Sequence, residues 1–245
     1  MKKILFLIII TLTLSNCNSA DCFESAGVII EQEITVSNFD KITVGHEISL
    51  VLKHGSTQRI VISTGENLIN NIAVEVIDGR LYLEDKNSCN FTRDYAITTV
   101  YVTSPNITEI RSDTARKISS DGILNYNDLL IFSEDFHVET LTNGEIDLNV
   151  ACQNLRIVSN GASLFTFNGE TEKLFITFAS GDSRFLGSNL IADEIIVSQK
   201  STNDMLIHPV NKLIGHIFSL GDVIAFHQPA LVNVTEHYTG KLIFN

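Results

Sequence analysis

The groups in this 245-residue chain with chemistry to offer are 7 histidines, 29 acidic residues and 4 cysteines. His208 and His227 stand 19 residues apart, and His216 and His237 stand 21 apart. Such spacing stacks side chains when a chain repeats every 20 residues or so. Two imidazoles are too few for a closed zinc site, and His208 and His227 neighbour Pro209 and Pro229, so both pairs read as exposed turn ladders. The acids are dispersed as Glu134-Asp135, Glu145 and Asp147, Glu170 and Glu172, and Asp193-Glu194. Glycoside chemistry needs two carboxylates gathered across one bond. Glu170 and Glu172 beside Lys173 come nearest, but the corresponding stretches 187–190 and 209–212 carry no acid. These acids read as solvated turns. No Walker spacing, no Gly-x-Ser-x-Gly elbow and no Cys/His zinc spacing is present. We therefore assign no catalytic residue, no cofactor-binding residue and no metal ligand.

The cysteines point instead to export. Lys2-Lys3 and the apolar run 4–14 form a leader too short to span a bilayer comfortably. It ends in Leu14-Ser15-Asn16-Cys17, which resembles the bacterial lipoprotein cleavage box and makes Cys17 the candidate lipidation site. Asn16 stands where a small residue is usual, and cleavage after Asn18-Ser19-Ala20 is the alternative. If Cys17 carries lipid, Cys22 and Cys89 are the candidate disulfide of an oxidising compartment. That bond closes a loop worth roughly 3–4 kcal/mol on the loop-entropy argument. Cys152, within Val150-Ala151-Cys152, reads as a buried, inert thiol. The net charge of −12 argues against a nucleic-acid groove or an anionic membrane surface as partner.

The elements that must position these groups repeat. Apolar runs alternate with small-residue turns from Leu155 to Phe226, giving two columns: Ile157, Ile176, Ile196, Ile217 and Phe167, Leu186, Ile207, Phe226. A period near 20 residues is the signature of a solenoid. Ile110 and Ile131 extend the first column backwards, with an insertion expected around Thr142-Asn143-Gly144. Leucine-rich and calcium-binding nonapeptide motifs are missing, so the expected fold is all-β: a right-handed parallel β-helix over residues 107–245. Residues 27–103 alternate at period two and include the hairpin signal Asp78-Gly79. They form an N-terminal strand-rich cap. The expected organisation is a leader over 1–17, an arm over 18–26 and one β-solenoid domain over 27–245.

Residues along almost the whole mature chain, most specifically in its N-terminal half, resemble the bacterial "head GIN domain" adhesins of Bacteroidota envelopes. The resemblance rests on Asp21-Cys22 after the lipobox-like end, Phe39-Asp40-Lys41-Ile42-Thr43-Val44 and Gly65-Glu66-Asn67-Leu68. It rests further on Leu81-Tyr82-Leu83 running into Asn87-Ser88-Cys89-Asn90, and on the turns at 180–181 and 219–221. The chain departs from the pattern at Gln199-Lys200-Ser201-Thr202, which has no glycine. The resemblance implies a β-helix-like fold and an envelope location, and supplies no catalytic motif. Asp113-Thr114-Ala115 resembles the O-glycosylation acceptor of the same bacteria.

The expected function is a non-enzymatic envelope binding protein, an outer-membrane lipoprotein facing the surface or the periplasm. Its partner is a glycan or a protein, with no nucleic acid and membrane contact through the lipid alone. A polysaccharide-active enzyme is one alternative. A structural protein is the other, forming a homo-oligomer through the C-terminal coil that ends Leu242-Ile243-Phe244-Asn245.

Overall fold

The structure is a computed structural model that describes residues 24–87, 90, 94, 97–134 and 143–245. Cys17, Cys22 and Cys89 lie outside the described residues, and so do the leader, lipid and disulfide expectations placed on them.

The first half is made of short strands because its apolar residues alternate over short runs between turn residues. These are β1 (Ile29–Ile34), β2 (Lys41–Val44), β3 (Ser49–His54), β4 (Arg59–Gly65), β5 (Ile72–Ile77) and β6 (Arg80–Asp85). Next come β7 (Thr99–Ser104), β8 (Glu109–Ser112), β9 (Ile118–Leu124) and β10 (Asp128–Ser133). Asp78 and Gly79 both hold positive φ, 50° and 75°, and close the antiparallel β5–β6 hairpin as expected of that dipeptide. The second half contains four long strands, β11 (Glu145–Ser159), β12 (Leu164–Phe178), β13 (Arg184–Gln199) and β14 (Met205–Ile217). It ends in β15 (Val223–Ala225), β16 (Leu231–Glu236) and β17 (Leu242–Phe244). Some of the small-residue turns expected between apolar runs, Asn168-Gly169, Gly187-Ser188 and His208-Pro209, are interior to continuous strands, whose inside-outside alternation is interrupted over 168–170, 188–189 and 210–212.

The pairing corrects the expected fold class. The 17 strands of the described residues belong to one mixed sheet that curls into a nearly closed, barrel-like wall around a single core. It is not a right-handed parallel β-helix with a separate cap. The pairs β11–β12, β12–β13 and β13–β14 are parallel, whereas β1–β4, β4–β7 and β5–β6 are antiparallel. The physical reason is local. A two-residue hairpin reverses the chain, and β4 runs antiparallel between β1 and β7, so parallel stacking cannot account for the whole wall. Moreover β2 pairs in parallel with both β6 and β8, and β3 with both β7 and β9. The early strands are therefore wall, not lid.

The columns are corrected too. Ile157 pairs with Ile176 and both are buried, but Ile176 pairs with Val197, not Ile196. Ile196 lies opposite Phe175 on the outer face. Likewise Phe185, not Leu186, is buried beside Phe165, Ile217 pairs with Gln199 and so falls outside the first column, and Ala225, not Phe226, pairs with Ile207. The register shifts between Thr166 and Asn168, where β13 gains a residue. One added residue turns the following side chains to the other face, because a strand alternates with period two.

The core is dry and aromatic at this level. Phe165 packs on Phe178 with ring centroids 5.6 Å apart, and Phe167 stacks on Phe185 at 5.9 Å. Each buried Phe contributes about 1.5–3 kcal/mol by removal from water. One corner of the wall is polar instead. Ser133 and Ser163 share a hydrogen bond of 2.6 Å, and Ser159 and Ser183 one of 2.8 Å. Ser201 donates to the Ser183 carbonyl at 2.6 Å. Buried hydroxyls are tolerated there because each has found a partner.

Candidate functional site

The histidine pairs separate on geometry. His208 and His227 stack with centroids 6.2 Å apart and planes 14° from parallel. Their Nδ1 atoms lie 3.0 Å from the Ser188 carbonyl and 2.8 Å from the Pro209 carbonyl. A carbonyl only accepts, so each Nδ1 carries a proton. Parallel rings cannot converge on one ion. His216 and His237 differ, for Nδ1 of the first lies 3.1 Å from Nε2 of the second. Phe218 stacks on His237 at 4.4 Å with planes 8° apart, and Lys200 Nζ sits 5.2 Å from the Phe218 centroid. Among the described residues, no group of three or more His, Cys, Asp or Glu is placed to hold a metal ion.

The acids are largely engaged with cations, not with each other. Lys117 Nζ bonds Glu145 and Asp147 at 2.8 Å each, and those bonds, Asp147 first, raise its pKa. Glu194 meets Lys212 at 3.3 Å. Glu170 and Glu172 do come together with Asp193, lining a cleft of about 510 Å³ with Tyr126, Cys152 and Asn127; Lys173 does not line it. Asn211 donates to Asp193. Tyr126 is buried with its hydroxyl unpartnered, and burial raises its pKa. Cys152 is a free buried thiol, pushed up to about 11 by desolvation. Thr114, the expected glycan acceptor, is fully buried and donates to the Ile48 carbonyl at 3.1 Å. Its hydroxyl is out of reach in the folded chain, which corrects that expectation.

The arrangement that the sequence did not reveal is a lateral groove of about 400 Å³ on the outer face of β11–β14 and β16. Two outward rows cross it. One is Arg156, Phe175, Ile196, Ile214 and Asn233; the other is Val158, Thr177, Ser198, His216 and Thr235. Arg156 lies over Phe175 with its guanidinium carbon 4.4 Å from the ring centroid, and Arg111 repeats this over Phe132 at 4.6 Å. The first row is thus mostly apolar and the second mostly hydroxyl and imidazole. Gly215, with φ of 145°, lines the groove where a Cβ would stand 2.0 Å from the Val197 carbonyl oxygen. Ile196 and Ile214 gave the only signal in the sequence: apolar residues left over once Val197 and Leu213 take the core positions.

Comparison with solved structures agrees with this wall. A putative adhesin from Bacteroides fragilis superposes with a TM-score of 0.80 at 18% identity, covering 91% of this chain and 100% of the other. A putative lipid binding protein from Parabacteroides distasonis gives 0.63 at 14% identity, covering 89% and 97%. A putative adhesin from Parabacteroides merdae gives 0.59 at 16%, also covering 89% and 97%. At such identities the likeness is one of fold. No curated protein matches. The family model described as "Putative auto-transporter adhesin, head GIN domain" matches residues 38–229, and the chain belongs to that family.

Proposed function

We propose that this chain is a non-enzymatic binding module of a bacterial cell envelope, anchored by lipid on Cys17, that holds an extended glycan along the lateral groove. The observation that carries this reading is the pair of rows on β11–β14 and β16. An apolar stripe of Phe175, Ile196 and Ile214 runs beside a stripe of Thr177, Ser198 and Thr235. A sugar chain offers the same two surfaces, C–H faces and hydroxyls, and buries both without an unpaired polar group. Among the described residues no carboxylate lines this groove, where paired-acid hydrolysis of glycosides would need two. Membership of an adhesin family supports binding as the purpose. The outer-membrane placement rests on the leader and on Cys17. A glycan array on the mature protein tests the binding. Retention of an intact glycan supports the reading, and release of shortened products replaces it with an enzyme. Mass spectrometry of the native protein tests lipid on Cys17 and the Cys22–Cys89 bond together.

A second reading concerns assembly. Of 14 exposed large apolar residues among the described residues, 7 lie from Phe218 to Phe244. Among the described residues β16 pairs with β14 alone and β17 with β15 alone, so both present an open edge. Self-association through this end is the corresponding proposal. Light scattering of the mature protein tests it, and a monomer at all concentrations removes it.

A further inference from the structure

We infer that His216 and His237 form a two-histidine site for a divalent transition-metal ion, copper(II) foremost. Their facing nitrogens are 3.1 Å apart. Two imidazoles on one ion at bond lengths of about 2.0–2.1 Å then subtend an angle of roughly 100°, between the square and tetrahedral values. The other ladder, His208 over His227, has parallel rings 6.2 Å apart and cannot do this.

The frame is already built. The His237 backbone N–H donates to the Ile217 carbonyl at 2.8 Å, and His216 pairs with Thr235 across β14–β16. Phe218 stacks on the His237 ring at 4.4 Å and lies 5.5 Å from the His216 ring, limiting the rotamers of both. A site whose rings are held before binding spends less of its affinity on ordering them. In the present geometry one nitrogen donates and the other accepts, so the pair shares one proton. When a metal takes both facing lone pairs, the donor ring carries its proton on the far nitrogen instead, and both rings turn to aim at the ion. Only two protein ligands are supplied. The remaining coordination positions are open and carry water, or donor atoms of whatever lies in the adjoining groove, to which His216 also belongs. Imidazole ligands favour copper(II) over nickel(II) and zinc(II) and give calcium and magnesium nothing.

This inference stands independently of the glycan reading, because metal alone is the probe. Copper(II) chloride is titrated into the tag-free protein at neutral pH by calorimetry, with electron paramagnetic resonance of the bound ion. The expected result is one copper per chain with nitrogen hyperfine structure from two imidazoles, tighter than nickel(II) or zinc(II). His216→Ala and His237→Ala each weaken it on the order of 10²-fold, since each removes one arm of a chelate. Both side chains are exposed, and His216→Gln with His237→Gln provides a second, bulkier pair of variants. His208→Ala leaves binding unchanged. Absence of binding, survival in the His216/His237 double variant, dependence on one of the two alone, or loss with His208→Ala overturns the inference.

Discussion

Arg156 lays its guanidinium over the ring of Phe175, its cross-strand neighbour, 4.4 Å from the ring centroid. The pair marks the start of the apolar stripe that continues through Ile196 and Ile214. An exposed cation on an aromatic face is worth about 0.5–1 kcal/mol, so the contact matters little to folding. Arg156→Ala should lower stability by under about 1 kcal/mol in a urea titration. It should also weaken glycan binding, because it strips a flat, donor-rich edge from the groove.

Stability should depend instead on the buried serine corner. Ser183 is fully buried, shares a 2.8 Å hydrogen bond with Ser159, donates to the Gly161 carbonyl at 3.1 Å and accepts the Ser163 N–H at 3.2 Å. Ser183→Ala removes all three bonds from a buried corner, although Ser159 keeps its bond to the Ser133 carbonyl and the Gly161 carbonyl keeps the Asp182 N–H. A loss of about 1–3 kcal/mol is expected from equilibrium unfolding. Ser180→Ala, an exposed residue of the same turn, should change stability far less.

Gly215 occupies φ of 145°, with the position of a Cβ 2.0 Å from the Val197 carbonyl oxygen. Both backbone strain and a clash with main chain follow from any side chain there. Gly215→Ala should cost at least about 2 kcal/mol and shift the thermal midpoint down by several degrees. Because Gly215 lines the groove, binding should fall with it.

Burial holds the Cys152 thiol at about 11, above its ordinary value of 9.0, so the folded chain keeps its proton where the unfolded chain loses it. The sign follows from that difference. The stabilising contribution is complete below about pH 9 and is lost as pH rises through about 11. Thermal midpoints should therefore decline over that window, and Cys152→Ala should flatten that part of the decline. At pH 8 the thiol should resist alkylation when folded and react readily in urea.

Much of the wall could be read from residue types. Asp78-Gly79 announced its hairpin because few dipeptides tolerate two positive φ values. Ile157, Ile176 and Ile110 through Ile131 revealed true cross-strand neighbours, because a buried row must stay apolar. Ile196 and Leu186 were misplaced by one residue. Their flanking positions, Ile195 with Val197 and Phe185, are equally apolar, so composition could not say which faced inward. The antiparallel pairs of β4 were hidden for a different reason. Alternation tells which face a residue occupies but carries no information on strand direction. The groove was less legible still. It exists only where outward residues of five strands fall into register, and the irregularities that set this register lie between Thr166 and Asn168 on β12 and between Leu186 and Glu194 on β13. The 3.1 Å approach of His216 and His237 depends on the pairing of β14 with β16 in the same way.

The measurement closest to the central claim is glycan binding by the mature protein compared with Ile196→Asp, which places a charge amid the apolar stripe. Glu172→Gln in the separate acidic cleft serves as the control. The groove account predicts that an intact glycan binds the parent protein, that Ile196→Asp abolishes binding while the fold persists by circular dichroism, and that Glu172→Gln changes nothing. Binding that survives Ile196→Asp, or that vanishes with Glu172→Gln, would contradict it.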